Sequence, residues 1–134
     1  MGTKLKYMSR AGIYKNSTGT CIYNPSKQVA TSYNWWGFYK VIDGFMVWNH
    51  HYYSQTTSAH QAAVRGFVSE DIALDVPNGL QTIHHIEQLV PLVQAEIAEL
   101  TAKIPRGGGF TNERRIERLK QLKSFIADVT QGRK

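Results

Sequence analysis

The glycine-rich segment PRGGGFTNERR, residues 105–115, contains residue types that suggest ligand chemistry directly. Arginines stand on both sides of three consecutive glycines, and a helix is predicted to begin just after them. Free backbone N–H groups at a helix start attract anions, and arginine forms paired hydrogen bonds with phosphate. We therefore predict an anion site that comprises Arg106, Gly107, Gly108, Thr111, Arg114 and Arg115.

An ordinary link between two helices is the competing interpretation of the same segment. Glycine adopts the positive φ that such links commonly need. The segment lacks the Gly-x4-Gly-Lys-Ser/Thr pattern of a phosphate-binding P-loop, and it does not follow a strand in a βαβ unit. The sequence is compatible with a segment that is both a link and an anion site.

A second candidate site lies among the aromatic residues between positions 33 and 53. Nine Tyr, Trp and Phe residues occupy these 21 positions. Aromatic rings stack on nucleobases at about 1–3 kcal/mol each, although a sheet core and a subunit interface would also need many of them. We predict a site for a phosphorylated adenine nucleotide, in which the base contacts Trp36, Phe38 and Asn49. His60 and Arg65 are predicted to lie near a phosphate or the ribose, and Arg10 could reach the same site.

Patterns for catalysis or metal binding are much weaker. Asp43 is the one carboxylate of the first 68 residues, and no two acids have the spacing of glycoside or metal chemistry. The five histidines have no cysteine partner at zinc spacing. A catalytic dyad of Cys21 with a histidine remains an alternative, although no local sequence signature supports it. We predict a non-enzymatic protein with no catalytic residues, no metal and no cofactor.

Charge is distributed in three blocks along the 134 residues. Residues 1–68 hold seven Lys/Arg and one acid, residues 69–102 hold six acids and no Lys/Arg, and residues 103–134 hold nine Lys/Arg and three acids. The net charge of +6 suggests an anionic partner, although the acidic block can neutralise one basic block within the fold. With no signal peptide and no run of about 18 apolar residues, we expect a soluble intracellular protein without membrane contact.

The elements that must position these residues change character about halfway along the chain. Residues 1–76 predict a small antiparallel β-sheet with a short helix, and residues 77–134 predict a helical hairpin, together a single α+β domain. Asp43-Gly44 is typical of a type I′ turn that pairs Ile42 with Phe45. In the short helix, Thr56, Thr57 or Ser58 is the expected N-cap, and the expected apolar stripe comprises Ala59, Ala63 and Phe67.

The helical hairpin has an apolar seam of coiled-coil type. Pro91 interrupts this seam, either as a kink or in the first turn of a new helix. The seam exceeds what one intramolecular partner requires, so we expect a homo-oligomer through the C-terminal helices. The seam residues follow one another at alternating spacings of three and four: Ile83, Ile86, Val90, Val93, Ile97, Leu100 and Ile104.

The segments YKNSTG and YSQTTSAHQ, the aromatic hairpin and the two C-terminal helices together resemble one phage protein family. These are the Thoeris anti-defence proteins of the first type, and the resemblance extends over most of the chain. It implies an oligomer that sequesters a cyclic nucleotide immune signal, glycocyclic ADP-ribose, without cleaving it. It also allows cyclic oligonucleotides as ligands at a separate site, and it implies the cytoplasm of an infected bacterial cell as the location.

Two other classes of function agree with the same residues. A nucleic-acid-binding accessory protein would use the same basic and aromatic surfaces, and its binding would weaken steeply with salt. A structural phage protein would use its helices only to assemble subunits.

Overall fold

The computed structural model describes residues 4–10, 12–104 and 109–132. One sheet of seven strands takes up most of the first part of the chain, and its spatial order follows the sequence order from β1 to β7. Neighbouring strands are antiparallel, except that β7 is parallel to β6. The strands are β1 (Lys6–Met8), β2 (Ile13–Lys15), β3 (Cys21–Asn24), β4 (Val29–Ser32), β5 (Trp36–Ile42), β6 (Phe45–Asn49) and β7 (Ile72–Leu74).

The turn between β5 and β6 has the predicted conformation. Asp43 has φ 51° and Gly44 has φ 83°, as a type I′ turn requires at its two central positions. The predicted pairing of Ile42 with Phe45 is confirmed, and it sets the register of both strands.

Helix α1 (Gln55–Arg65) connects β6 to β7 and explains why these two strands are parallel. Its N-cap is Ser54, so the prediction of a cap at positions 56–58 is wrong. The predicted apolar stripe is wrong as well, because Thr57, His60 and Val64 are the buried residues of the helix. Phe67 lies beyond its end and is 46% exposed.

The second part of the chain begins with a 3-10 turn (Ile86–Leu89), followed by α2 (Val90–Lys103) and α3 (Gly109–Gln131). Pro91 lies in the first turn of α2, where its missing N–H costs nothing. The two helices pack against each other. They are antiparallel, because Arg118 of α3 binds Glu96 while Arg115, earlier in α3, contacts Lys103 at the end of α2.

The predicted α+β class with two C-terminal helices is confirmed. Contacts divide the chain into two compact units, Met1–Thr82 and Ile83–Lys134, whereas the sequence interpretation had one domain with its change from sheet to helix after residue 76. In the described part of the chain, no helix combines the length and the apolar character needed to cross a membrane.

Candidate functional site

The residues predicted to hold a nucleobase lie in the core of the sheet unit. Trp36 and Phe38 are 1% and 0% exposed, so neither ring offers a face to a ligand in this structure. Asn49 is fully buried and binds backbone. Its Oδ1 accepts the N–H groups of His51 and Val76 at 3.1 and 3.0 Å, and its Nδ2 donates to the Val76 carbonyl at 2.8 Å. In this structure all three side chains pack within the sheet unit, and their role in base recognition stays a prediction.

The remaining predicted residues of this unit are not brought together with that group. Arg65 lies 4.6 Å above the Trp48 ring and forms an ion pair with Glu70. His60 is buried, and burial lowers the pKa of its imidazole. Arg10 is exposed beside the β1–β2 hairpin, where it lines a surface depression of about 450 Å³.

The predicted anion site in the glycine-rich segment falls largely outside the described residues. Arg106, Gly107 and Gly108 are not described, and Thr111 is described only as part of α3. The site as a whole therefore stays a prediction. On α3, Arg114 lines a depression of about 520 Å³, and Arg115 donates to the Lys103 carbonyl at 3.4 Å.

A basic turn that the sequence interpretation did not select lies at one end of the sheet. The name covers Lys4, Lys6, Lys15 and residues 16–19, which line a depression of about 490 Å³ together with Met8. Three ammonium groups thus stand beside a turn rich in hydroxyl and amide side chains. Such groups donate hydrogen bonds to phosphate oxygens.

Two lysines of the basic turn lie directly opposite each other on neighbouring strands. Lys6 and Lys15 are direct partners on β1 and β2. Like charges directly opposite destabilise an antiparallel pair, and the described residues that line the depression include no acid to offset them. A bound anion would offset the repulsion expected of such a pair.

Exposed aromatic rings surround the turn between β4 and β5. We call Tyr33, Trp35 and Tyr53 the aromatic turn; these residues are 43%, 48% and 49% exposed. The rings of Trp35 and Tyr53 meet edge to face with centroids 6.2 Å apart. Tyr33 has φ 55° and Asn34 has φ 65°. The Trp35 N–H donates to the Ser32 carbonyl at 3.3 Å, and positive φ at both central positions agrees with a type I′ turn, although a bulky aromatic residue rarely adopts this conformation.

The basic turn and the aromatic turn share one end of the sheet. Antiparallel strands reverse direction, so the segments that follow β2, β4 and β6 all lie at the same end. The Tyr33 N–H donates to the carbonyl of Thr20, the residue that follows the basic turn, at 2.6 Å. Cation donors and stacking rings therefore occur together within the sheet unit.

The possible Cys21–histidine dyad is not assembled. The Cys21 thiol points to the backbone carbonyl of His60 at 3.8 Å, not to its ring, and burial raises the pKa of the thiol to about 12. A thiolate is the reactive form of cysteine, so we expect native protein to resist a thiol reagent such as Ellman's reagent. Cys21 should react fully once the protein is unfolded in guanidinium. Rapid labelling under native conditions would contradict the buried position.

Fold and site together define a small α+β protein with a basic turn beside an exposed aromatic turn at one sheet end. No family model, curated protein or solved structure matches the chain. The sequence did contain a signal for the basic turn. Lysines at positions 4, 6 and 15 precede the turn sequence Asn-Ser-Thr-Gly at positions 16–19.

Proposed function

We propose that this chain binds a phosphorylated nucleotide at the end of its sheet and holds it without chemical conversion. One observation supports the proposal above others: the basic turn and the aromatic turn lie at the same end of the sheet, and a hydrogen bond connects Tyr33 to Thr20, the residue that follows the basic turn. Phosphate oxygens would bind the lysines and the turn, and a base would stack on an exposed ring.

The resemblance to Thoeris anti-defence proteins gives this binding a biological role. Under the proposal, the chain sequesters cyclic nucleotide immune signals in an infected bacterial cell. Glycocyclic ADP-ribose is the first expected ligand, and cyclic oligonucleotides are the second. The groups at the basic turn are hydrogen-bond donors, which suits retention of an anion.

Thermal denaturation against a panel of cyclic nucleotides and ADP-ribose isomers tests the proposal. A ligand at 100 times its Kd should stabilise the protein by about 2.7 kcal/mol. The bound compound should then be recovered chemically unchanged after heat denaturation, as judged by mass spectrometry. Recovery of a linear or hydrolysed product would identify an enzyme instead.

Binding of single-stranded nucleic acid is the second candidate function, and the exposure of Trp35 and Tyr53 favours it. A basic groove with sequence-tolerant stacking is the usual arrangement for such ligands. The two candidates differ in their dependence on salt. Oligonucleotide affinity should fall steeply between 50 and 200 mM salt because counterions are released, whereas binding of a small nucleotide should change far less.

We also propose that the C-terminal helices join copies of this chain. Ile116 of α3 is 39% exposed, whereas Leu122 of the same helix is fully buried. Ile116→Asp should therefore dissociate the oligomer and leave helical content intact, and Leu122→Asp should unfold the helices. Light scattering and circular dichroism measure both effects. Wild-type protein that is monomeric at micromolar concentration would exclude this assembly.

A further inference from the structure

A hydrogen-bond chain runs through the sheet unit from the start of α1 to the basic turn. Its three central members, Ser32, Thr57 and His60, are buried, so their polar atoms depend on one another for hydrogen bonds. Consecutive side-chain atoms are separated by 3.1, 3.2, 2.7, 3.5 and 2.8 Å. The chain comprises, in order, Ser54, Thr57, Ser32, His60, Thr20 and Thr18.

Each hydroxyl has a single hydrogen to donate, so all hydroxyls of the hydrogen-bond chain can donate in the same direction along it. Ser54 Oγ accepts the Thr57 N–H at 3.1 Å and donates its own hydrogen to Thr57 Oγ1. If every hydroxyl both donates and accepts within the chain, Thr57 donates to Ser32, and Ser32 donates to Nδ1 of His60. The imidazole then has its proton on Nε2.

The same direction continues to the surface. In this direction Nε2–H of His60 donates to Thr20 Oγ1 at 3.5 Å, and Thr20 donates to Thr18 Oγ1. The Asn16 amide also donates to both threonine hydroxyls, at 3.1 and 3.2 Å. Thr18 Oγ1 thus accepts twice within the protein, and its own hydrogen remains for an acceptor in the depression that Thr18 lines.

We infer that Thr18 is the hydroxyl donor to the bound phosphate and that His60 is the positioning residue that sets the direction of this donor. The inference rests on the proposed function, because it takes the basic turn as the place of the phosphate. A neutral imidazole is required, and the desolvation of the buried ring favours that form. If all hydrogen bonds of the hydrogen-bond chain pointed the other way, the Thr18 hydroxyl would donate to Thr20, and the depression would lose this donor.

Nuclear magnetic resonance of ligand-free protein tests the direction of the chain. Proton–nitrogen correlation spectra should show His60 as the Nε2–H tautomer, with the signal assigned by its loss in His60→Gln. Ser54→Ala should shift the His60 ring nitrogens and the Thr18 amide, whereas the control Ser58→Ala, on the same helix, should leave both in place. An Nδ1–H tautomer, or a Ser54→Ala effect confined to the first turn of α1, would overturn the inference.

Titration with pyrophosphate tests the role of the donor. Thr18→Val preserves the shape of the side chain without its hydroxyl and should weaken pyrophosphate binding at least about tenfold, as expected for a hydrogen bond to a charged group. Thr18→Ser should restore the affinity. If Thr18→Val binds as tightly as wild type while Lys15→Glu does not bind, the inference fails and the proposed phosphate site stands. If wild type itself does not bind pyrophosphate and no cyclic nucleotide stabilises it, the proposed function fails.

Discussion

Replacing Asn49 by leucine should lower the free energy of unfolding by at least about 1–3 kcal/mol, because the buried Val76 N–H loses its acceptor and the partly buried His51 N–H adds a smaller loss. The amide oxygen of Asn49 is the acceptor for the N–H groups of His51 and Val76. The carbonyls that its Nδ2 contacts keep other partners, since Gly37 O also accepts the Leu80 N–H at 2.8 Å and Val76 O accepts the Gly79 N–H at 2.9 Å. The lost stability therefore comes from the N–H groups of His51 and Val76.

Chemical denaturation of Asn49→Leu measures this loss, and Asn24→Leu is the matched control. Asn24 caps an exposed turn by accepting the Lys27 N–H at 3.1 Å, so its replacement should change the free energy of unfolding by less than about 1 kcal/mol. If Asn49→Leu kept wild-type stability and lost nucleotide binding, Asn49 would be the base-recognition residue that the sequence suggested.

The local features of the fold were predictable because their signals lie within a few residues. Asp43-Gly44 fixes a turn through its own backbone preferences, and the turn then fixes the register of β5 and β6. The alternation of three and four residues in the C-terminal part likewise predicts helices without knowledge of their partners. The agreement is partial for the seam, because α2 begins at Val90, so that Ile83 lies in no helix and Ile86 lies in the 3-10 turn.

The roles of Asn49 and His60 were not predictable in this way, because their partners are distant in sequence. Asn49 contacts Val76, 27 residues away, and His60 contacts Ser32, 28 residues away. In the sequence, an amide and an imidazole near aromatic residues suggest a ligand site whether they bind a ligand or only form hydrogen bonds with buried backbone and hydroxyl groups. Only the parallel placement of β7 after α1 shows that Val76 comes back to the end of β6.

The basic turn is the opposite case, because no single one of its residues suggests a site in the sequence, and they form a candidate site only when the fold brings them together. Lys6 and Lys15 are nine positions apart in a region with seven Lys/Arg, and neither is unusual alone. The short β1–β2 hairpin places them directly opposite each other. Such pairs are disfavoured for stability, so the opposition itself suggests an anionic partner.

Lys15→Glu should act in opposite directions on stability and on binding. The substitution replaces a like-charge pair across β1 and β2 by an opposite-charge pair, which should stabilise the free protein by about 0.2–1 kcal/mol. It also removes a cation from the basic turn and adds an anion there. Loss of one charge-assisted hydrogen bond is worth about 1.5–3 kcal/mol, so affinity for a cyclic nucleotide should fall at least about tenfold.

Isothermal titration calorimetry and thermal denaturation measure the two effects, and Lys27→Glu is the matched control. Lys27 lies in the turn between β3 and β4, at the opposite end of the sheet, and its replacement changes the net charge of the protein by the same amount. Equal losses of affinity in the two variants would indicate a diffuse electrostatic attraction, as for nucleic acid. A loss confined to Lys15→Glu, together with a raised melting temperature, would place the phosphate at the basic turn, because a more stable protein cannot have lost its affinity through unfolding.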